Sequence, residues 1–289
     1  MAKTTAAVIR KPIFETYVAS AKRAARKLGT AAATTAYKIE VRFLGGLTTA
    51  QKNAFKSAAD RWTRVIVGDL PSVQVDGEVV DDLLILAQGV AIDGRGGILG
   101  QAGPTHLRPG SAGTSALLPV KGIMSFDTAD LATMQRDGTL KDVITHEMGH
   151  VIGVGTIWSL KGKVKGAGTA NPRFTGAATK KEFGTLTGAA ATEVPVENAG
   201  GAGTRDGHWR EGVFRTELMS GFIAAPNNPL SRMTVASLKD LGYTVNLAAA
   251  EAYTLPDLFA IAAAGAGSTH HRPHAQPVVP ITLPDSSLV

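Results

Sequence analysis

Two histidines and a glutamate stand at a spacing that suits metal chemistry in the segment His146-Glu147-Met148-Gly149-His150. On an α-helix, residues four apart lie on one face, so both imidazoles can reach the same ion. Zinc suits imidazole nitrogen, and a catalytic zinc site keeps one coordination position open for water. Glu147 could take a proton from that water. The pattern predicts a hydrolytic zinc centre but does not supply its third protein ligand.

Apolar residues flank the motif on both sides, with Val143 and Ile144 before it and Val151 and Ile152 after it. This pattern predicts a buried helix from about Leu140 to Ile152. Buried histidine and glutamate side chains need polar partners, and a shared metal ion would provide one. The alternative is a buried helix that carries two histidines without a metal.

The third ligand has to come from a more distant part of the chain. A compact metzincin site has the form HExxHxxGxxH, in which a glycine ends the helix and a histidine follows three residues later. Gly153 is present here, but Thr156 occupies the ligand position. His208 is the strongest remaining candidate, because it precedes Trp209 and because Met219 follows eleven residues later in Glu-Leu-Met-Ser-Gly.

Other third ligands stay open at the level of the sequence. His106 lies in a Pro-Thr-His-Leu-Arg segment and is expected to face solvent or substrate. Three further histidines lie among prolines near the C-terminus: His270, His271 and His274. A glutamate ligand, as in thermolysin-like enzymes, would need a downstream helix. The glutamates in question lie in a region rich in Gly and Thr: Glu182, Glu193 and Glu197.

These motifs together resemble the leishmanolysin family of metzincin zinc peptidases. In that family an inserted segment separates the HExxHxxG core from the third histidine, a Trp follows that histidine, and the methionine turn is written Glu-Leu-Met. The matching positions are His146, Glu147, His150, Gly153, His208, Trp209, Glu217, Leu218 and Met219. The resemblance covers roughly residues 37–256. The absence of cysteine suggests a shorter bacterial-type relative, not a disulfide-rich eukaryotic member.

The resemblance implies a zinc endopeptidase that acts on peptide or protein substrates. One catalytic Zn²⁺ would be held by His146, His150 and His208, with Glu147 as the general base and Met219 in a tight turn beneath the metal. The implied fold is α+β: a mixed twisted sheet with an active-site helix, and a smaller C-terminal subdomain that carries the third ligand and the methionine turn. A catalytically inactive zinc-binding or structural domain of the same fold is the alternative.

A glycine-rich segment resembles the edge strand that borders metzincin clefts. It is predicted as a strand over residues 96–104, and its substrate-facing part is Gly97, Ile98, Leu99 and Gly100. An extended peptide could pair with such a strand through backbone hydrogen bonds. An ordinary glycine-rich edge strand without a substrate role is the alternative.

Local patterns predict the other elements and divide the chain into three parts. Residues 1–36 are predicted as a basic N-terminal extension, helical from Phe14 to Leu28. Residues 37–255 are predicted as the catalytic domain, with a long insertion at 155–207. Residues 256–289 are predicted as a poorly ordered tail rich in Pro and Ala. The elements predicted within the domain are strands at 38–43, 83–87 and 122–127 and helices at 50–67 and 233–241.

Charge and composition exclude several function classes. The net charge is +6, but the first 42 residues hold nine Lys or Arg and two Glu, so the rest of the chain is nearly neutral. A nucleic-acid-binding face on the main domain is therefore disfavoured. With no cysteine there is no disulfide framework, no thiolate zinc ligand and no thiol nucleophile.

Location and the role of the basic extension are less constrained. No apolar run is long enough for a transmembrane helix, and no conventional signal peptide is evident, although the resemblance implies extracellular action. The extension is expected to be a solvated basic helix or a flexible arm. The alternatives are a removable pro-segment, weak contact with a membrane surface, or an adaptor arm that binds nucleic acid or anionic lipid.

Overall fold

The structure is a computed structural model, and it describes residues 14–21, 36–96, 98–201, 203–223, 225–257 and 275–289. Its main sheet has the strand order β1-β2-β5-β7-β6, and two short C-terminal strands, β11 and β12, lie on the outer edge of β6. The bounds are β1 Glu15–Ser20, β2 Lys38–Gly45, β5 Leu83–Val90, β6 Gly100–Leu107, β7 Pro119–Asp127, β11 Ala275–Gln276 and β12 Ile281–Thr282.

The main sheet is mixed, because both kinds of strand pairing occur in it. β2, β5 and β7 run parallel to one another, whereas β1 is antiparallel to β2 and β6 is antiparallel to β7. β11 and β12 run parallel to β6. With helices packed against this sheet, the molecule has the mixed α+β architecture expected from the sequence.

The burial pattern of each strand matches its place in the sheet. Along β2, Ile39, Val41 and Phe43 are buried while the residues between them are partly exposed, as the alternation in the sequence predicted. β5 lies between two neighbours and begins with the buried run Leu83–Ile85. Continuous apolar runs of this kind are typical of strands that are covered on both faces.

Within the described ranges, six α-helices accompany the sheet: α1 Thr49–Val65, α2 Thr128–Asp137, α3 Leu140–Ile152, α4 Ala177–Thr187, α5 Glu211–Phe214 and α6 Arg232–Leu241. Thr48 and Gln51 form a reciprocal capping box at the start of α1. The buried Trp62 of α1 donates its indole N–H to the carbonyl of Thr145 on α3, at 2.9 Å. α1 therefore fixes the position of the helix that carries the histidine pair.

Smaller elements complete the described chain. A hairpin consists of β3 Val73–Val75 and β4 Glu78–Val80. The segment predicted as an insertion contains β8 Val164–Lys165, β9 Arg173–Phe174, α4 and β10 Val194–Pro195, and the three strands form a small antiparallel sheet. Among the described residues, no helix combines the length and the apolar character needed to cross a membrane.

The helix predicted across Phe14–Leu28 is wrong at Glu15–Ser20, which forms strand β1. Its backbone pairs in register with β2, and the Tyr17 hydroxyl donates to Asp60 of α1 at 2.8 Å. The free edge of β2 offers a full ladder of hydrogen bonds, which outweighs a weak helical spacing. Ala25 and Leu28 lie outside the described residues.

The expectation of a poorly ordered C-terminal tail is wrong for residues 275–289, which pack along the outer edge of β6. The N–H of Leu283 donates to the carbonyl of Leu107 at 3.0 Å, and that of Val289 to Ser72 at 3.2 Å. The tail thus satisfies backbone groups that an open strand edge would expose. His270, His271 and His274 lie outside the described residues.

Candidate metal centre and cleft

The histidine pair lies on one face of α3, whose end is set by a glycine. Gly153 follows the last residue of α3 with a φ of 115°, and its N–H donates to the carbonyls of Gly149 and His150. A residue with a side chain would be strained in this left-handed conformation. The chain therefore stops its helix here and turns back towards the histidines.

The loop after α3 lets the segment that carries His208 approach the end of the helix. The Thr156 hydroxyl donates to the carbonyl of His150 at 2.7 Å, so the residue at the compact-motif ligand position serves as part of the helix end. A Cβ on Gly155 would lie 1.9 Å from the carbonyl oxygen of Gly207. Only glycine allows this approach, which brings the residue before His208 against the end of α3.

His208 directly precedes Trp209, which forms isolated β-bridges with Val196 on one side and Ser220 on the other. The carbonyl of His208 accepts the N–H of Glu197 at 2.8 Å, and the N–H of Trp209 donates to the carbonyl of Met219 at 3.0 Å. The Trp209 indole is fully buried, with its ring 4.4 Å from that of Trp158 and 5.4 Å from that of Phe174. This aromatic anchor fixes the backbone from which the His208 imidazole projects.

The three imidazoles converge through their Nε2 atoms. Nε2 of His146 lies 3.0 Å from that of His150 and 3.1 Å from that of His208, and the third separation is 2.9 Å. Three nitrogens bound to one zinc at about 2.0–2.1 Å in tetrahedral geometry would lie about 3.3 Å apart. The group needs only a small expansion to fit such an ion, and it could hold one.

The outer nitrogens of the three rings fix their tautomers. Each Nδ1 bonds to a backbone carbonyl: His146 to Leu218 at 2.7 Å, His150 to Val154 at 2.9 Å and His208 to Thr204 at 2.8 Å. A carbonyl only accepts, so each Nδ1 must carry the proton and each Nε2 presents its lone pair inward.

Burial, reinforced by the neighbouring imidazoles, lowers the pKa of each of the three histidines to about 3. All three rings are therefore neutral at physiological pH. Three inward lone pairs without a proton repel one another, and a bound cation would relieve that repulsion. The chemistry of this donor set suits zinc.

Glu147 lies beside the histidines in the same cavity. Its side chain is buried, and Oε2 has no hydrogen-bond partner among the residues that the structure describes. Burial raises the pKa of Glu147 to about 8. An unpartnered buried carboxyl is costly, and a metal-bound water in the adjacent space is the partner that this site would supply.

The methionine turn lies beneath α3. A Cβ on Gly149, between the two histidines, would lie 2.8 Å from Sδ of Met219 and 2.8 Å from the Trp62 ring. The small residue in the motif therefore lets Met219 pack directly under the metal-binding face. Met219 is thus in contact with α3 between its two histidines.

Glu217 is a supporting residue whose role the sequence did not reveal. Its buried carboxylate accepts the N–H of Met219 at 2.6 Å and the hydroxyls of Ser231 and Thr234 at the start of α6. The Thr234 hydroxyl in turn accepts the Trp209 indole N–H at 2.8 Å. One carboxylate thus ties the methionine turn to α6 and to the anchor of His208. A buried acid just before the turn was the only signal of this network in the sequence.

Glu217→Gln is expected to lower the free energy of unfolding by about 1–3 kcal/mol, because an amide cannot accept at both of its terminal atoms. One of the N–H donors of Met219 and Ser231 would then face another N–H group. Urea denaturation of the two proteins would measure the loss. Glu193→Gln, at a partly exposed ion pair with Lys165, is the matched control and should leave stability unchanged. Equal midpoints for wild type and Glu217→Gln would contradict this role.

The remaining ligand candidates that the structure describes do not join the centre. Glu182 pairs with Arg232 at 2.7 Å, and Glu193 with Lys165 at 3.3 Å. Glu197 accepts backbone N–H groups of residues 198, 199 and 211. His106 lies on β6, with Nδ1 3.1 Å from the Thr105 hydroxyl.

The predicted edge strand begins later than the sequence suggested. β6 starts at Gly100, so Ile98 and Leu99 precede it, and Gly97 lies outside the described residues. Carboxylates hold the preceding loop: Asp127 accepts the N–H groups of residues 92 and 94, and Asp130 accepts that of residue 96. The N–H of Asp127, the last residue of β7, donates to the carbonyl of Leu99 at 2.9 Å, so the loop joins the sheet one residue before β6 begins.

Comparison with known proteins identifies the family of this centre. A search of curated proteins gives no match. The family model described as leishmanolysin, Peptidase_M8, matches residues 112–259, about half of the chain. The matched region contains α3, His208 and the methionine turn. The chain belongs to the leishmanolysin family of peptidases.

Proposed function

We propose that this protein is a zinc-dependent endopeptidase, with one Zn²⁺ held by His146, His150 and His208 and with Glu147 as the general base. The convergence of three Nε2 lone pairs beside an unpartnered buried carboxyl carries the proposal. Membership of a peptidase family supports the reaction class, and that family is zinc-dependent. A site that only needed metal for stability would have no use for a buried acid at this place.

The side chains around the cavity have separate tasks in peptide hydrolysis. Bound zinc would polarise a water molecule and the substrate carbonyl. In its ionised form, which an adjacent bound cation would favour despite burial, Glu147 takes the proton of the water on Oε2 as the water oxygen attacks the peptide carbonyl carbon. The same carboxyl then delivers the proton to the departing nitrogen as the C–N bond breaks. The backbone acceptors behind the three histidines hold the imidazoles in place during both transfers.

The finer organisation follows the metzincin plan in this proposal. Residues 37–255 form the catalytic domain, in which a smaller part after α3 carries His208 and the methionine turn. The segment 155–207 is an insertion, and residues 1–36 and 256–289 flank the domain. An extended substrate would pair with residues 97–100, the last of which is the first residue of β6. Ala102 of β6 lines the cavity of the metal centre, which supports this position.

Metal removal tests the proposed function. The purified protein is expected to contain one zinc per chain and to cleave members of a quenched-peptide library. A strong chelator should abolish cleavage, and stoichiometric zinc should restore it, whereas magnesium should not. Metal analysis and fluorescence are the measurements. A protein that binds one zinc but cleaves no peptide would favour the inactive zinc-binding alternative.

A further inference from the structure

The C-terminal tail pairs with the strand that the proposed function assigns to substrate. β11 lies beside the start of β6, with Ala275 opposite Gly100, and β12 lies beside its end, with Thr282 opposite Leu107. The outer edge of β6 is thus occupied at both ends by the chain itself. A peptide substrate that adds a strand to β6 would need the same backbone groups.

Between these two pairings the tail crosses the mouth of the metal-centre cavity. Pro277 and Val278 line that cavity together with Glu147 and the three histidines. A Cβ on Gly103 would lie 3.0 Å from Cβ of Val278, so the tail is in direct contact with β6 there. The remaining cavity is about 240 Å³, which is less than the about 300–1,000 Å³ usual for ligand sites.

The end of the tail is anchored away from the cavity. Leu283 and Leu288 pack on a small apolar cluster centred on the β3–β4 hairpin. The Ser111 hydroxyl donates to Asp285 at 2.5 Å, and the N–H of Val289 donates to the carbonyl of Ser72 at 3.2 Å. This anchor keeps residues 277–280 near the cleft at a high effective concentration, even when they are displaced.

Residues 277–280, which lie over the cavity, interact only weakly with β6. Pro277 and Pro280 have no backbone N–H, so this stretch can form few hydrogen bonds with β6. Val279 is 89% exposed, which leaves Val278 as the side chain between the two prolines that contacts the sheet. A firm anchor combined with a weakly paired crossing suits a segment that a substrate can displace.

We infer that residues 275–280 act as an intramolecular competitor that covers the cleft and keeps other extended peptides from β6. This inference rests on the proposed function for its effect on catalysis, while the covering itself does not need turnover. A competitor of this kind lowers the fraction of binding-competent protein. The apparent KM equals the intrinsic KM divided by that fraction, so it rises, while kcat stays the same.

Val278→Asp tests the inference, with Val279→Asp as its matched control. A charge at position 278 would have to lie against Gly103, so the crossing should detach while the anchor remains. KM for a quenched peptide is expected to fall about tenfold at constant kcat, from loss of most of the apolar contact of one valine. The same substitution at the exposed position 279 should change neither constant.

Hydrogen exchange of the full chain gives a readout that does not depend on turnover. Amides in residues 100–103 and those of residues 276, 278 and 279 should exchange faster in Val278→Asp than in wild type or Val279→Asp, while the amide of Leu283 in the anchor should keep its protection. Equal exchange in all three proteins, or equal KM values in active proteins, would overturn the inference. If no protein cleaves peptide but exchange rises only in Val278→Asp, the proposed function fails and the covered cleft stands.

Discussion

Glu147→Gln is expected to abolish measurable peptide hydrolysis while one zinc per chain remains bound. Glutamine keeps the shape of the side chain but cannot take a proton from water. Loss of a general base costs about 10²–10⁴ in rate. The Nδ1 atoms that orient the three imidazoles bond to backbone carbonyls and not to Glu147. The three Nε2 donors should therefore keep their positions in the variant. kcat/KM on a quenched peptide and metal analysis of the same sample are the two measurements.

Glu193→Gln serves as the control for this experiment as well. It removes one carboxylate from the surface of the small β8–β10 sheet, where Glu193 pairs with Lys165, and it should leave kcat/KM unchanged. Hydrolysis at the wild-type rate by pure Glu147→Gln protein would rule out Glu147 as the base. Loss of zinc together with activity would instead assign Glu147 a role in holding the site together.

The parts of this structure that could be predicted from the sequence are those set by short-range patterns. Helix α3 has the predicted bounds, because its apolar spacing and Gly153 are both local signals. The alternation of β2 and the buried run of β5 were equally visible. The leishmanolysin resemblance is confirmed by the family match. For His208, the resemblance was needed, since no local pattern links it to a helix 58 residues earlier.

What the sequence could not predict depends on surfaces that exist only after folding. β1 and the C-terminal strands form because β2 and β6 leave open edges, and neither edge is visible in the segments that cover them. The close approach of Gly155 to Gly207 likewise joins two loops distant along the chain. Glu217 could be placed before the methionine turn, but its bonds to Ser231 and Thr234 required the position of α6.

His208→Ala is expected to weaken zinc binding by more than about a hundredfold, because loss of a ligand should exceed the 10–100-fold cost of losing an outer partner. Two histidines of α3 would remain, and they do not make a catalytic zinc site alone. The backbone should keep its path, since the buried Trp209 and its bond to Thr234 anchor it. Competition with a zinc-sensitive chelator dye would measure the affinity, and circular dichroism the fold.

His106→Ala is the matched control, because it removes an imidazole from β6 that stands outside the converging group. Zinc affinity should then equal that of wild type. Tight zinc binding by folded His208→Ala would require another ligand, and the prolyl segment with His270, His271 and His274 would be the next to test by substitution. If only His208→Ala loses the metal, the centre is split between α3 and a segment that returns after the insertion. Glu217 and Trp209 then become the residues whose packing decides how well its two halves meet.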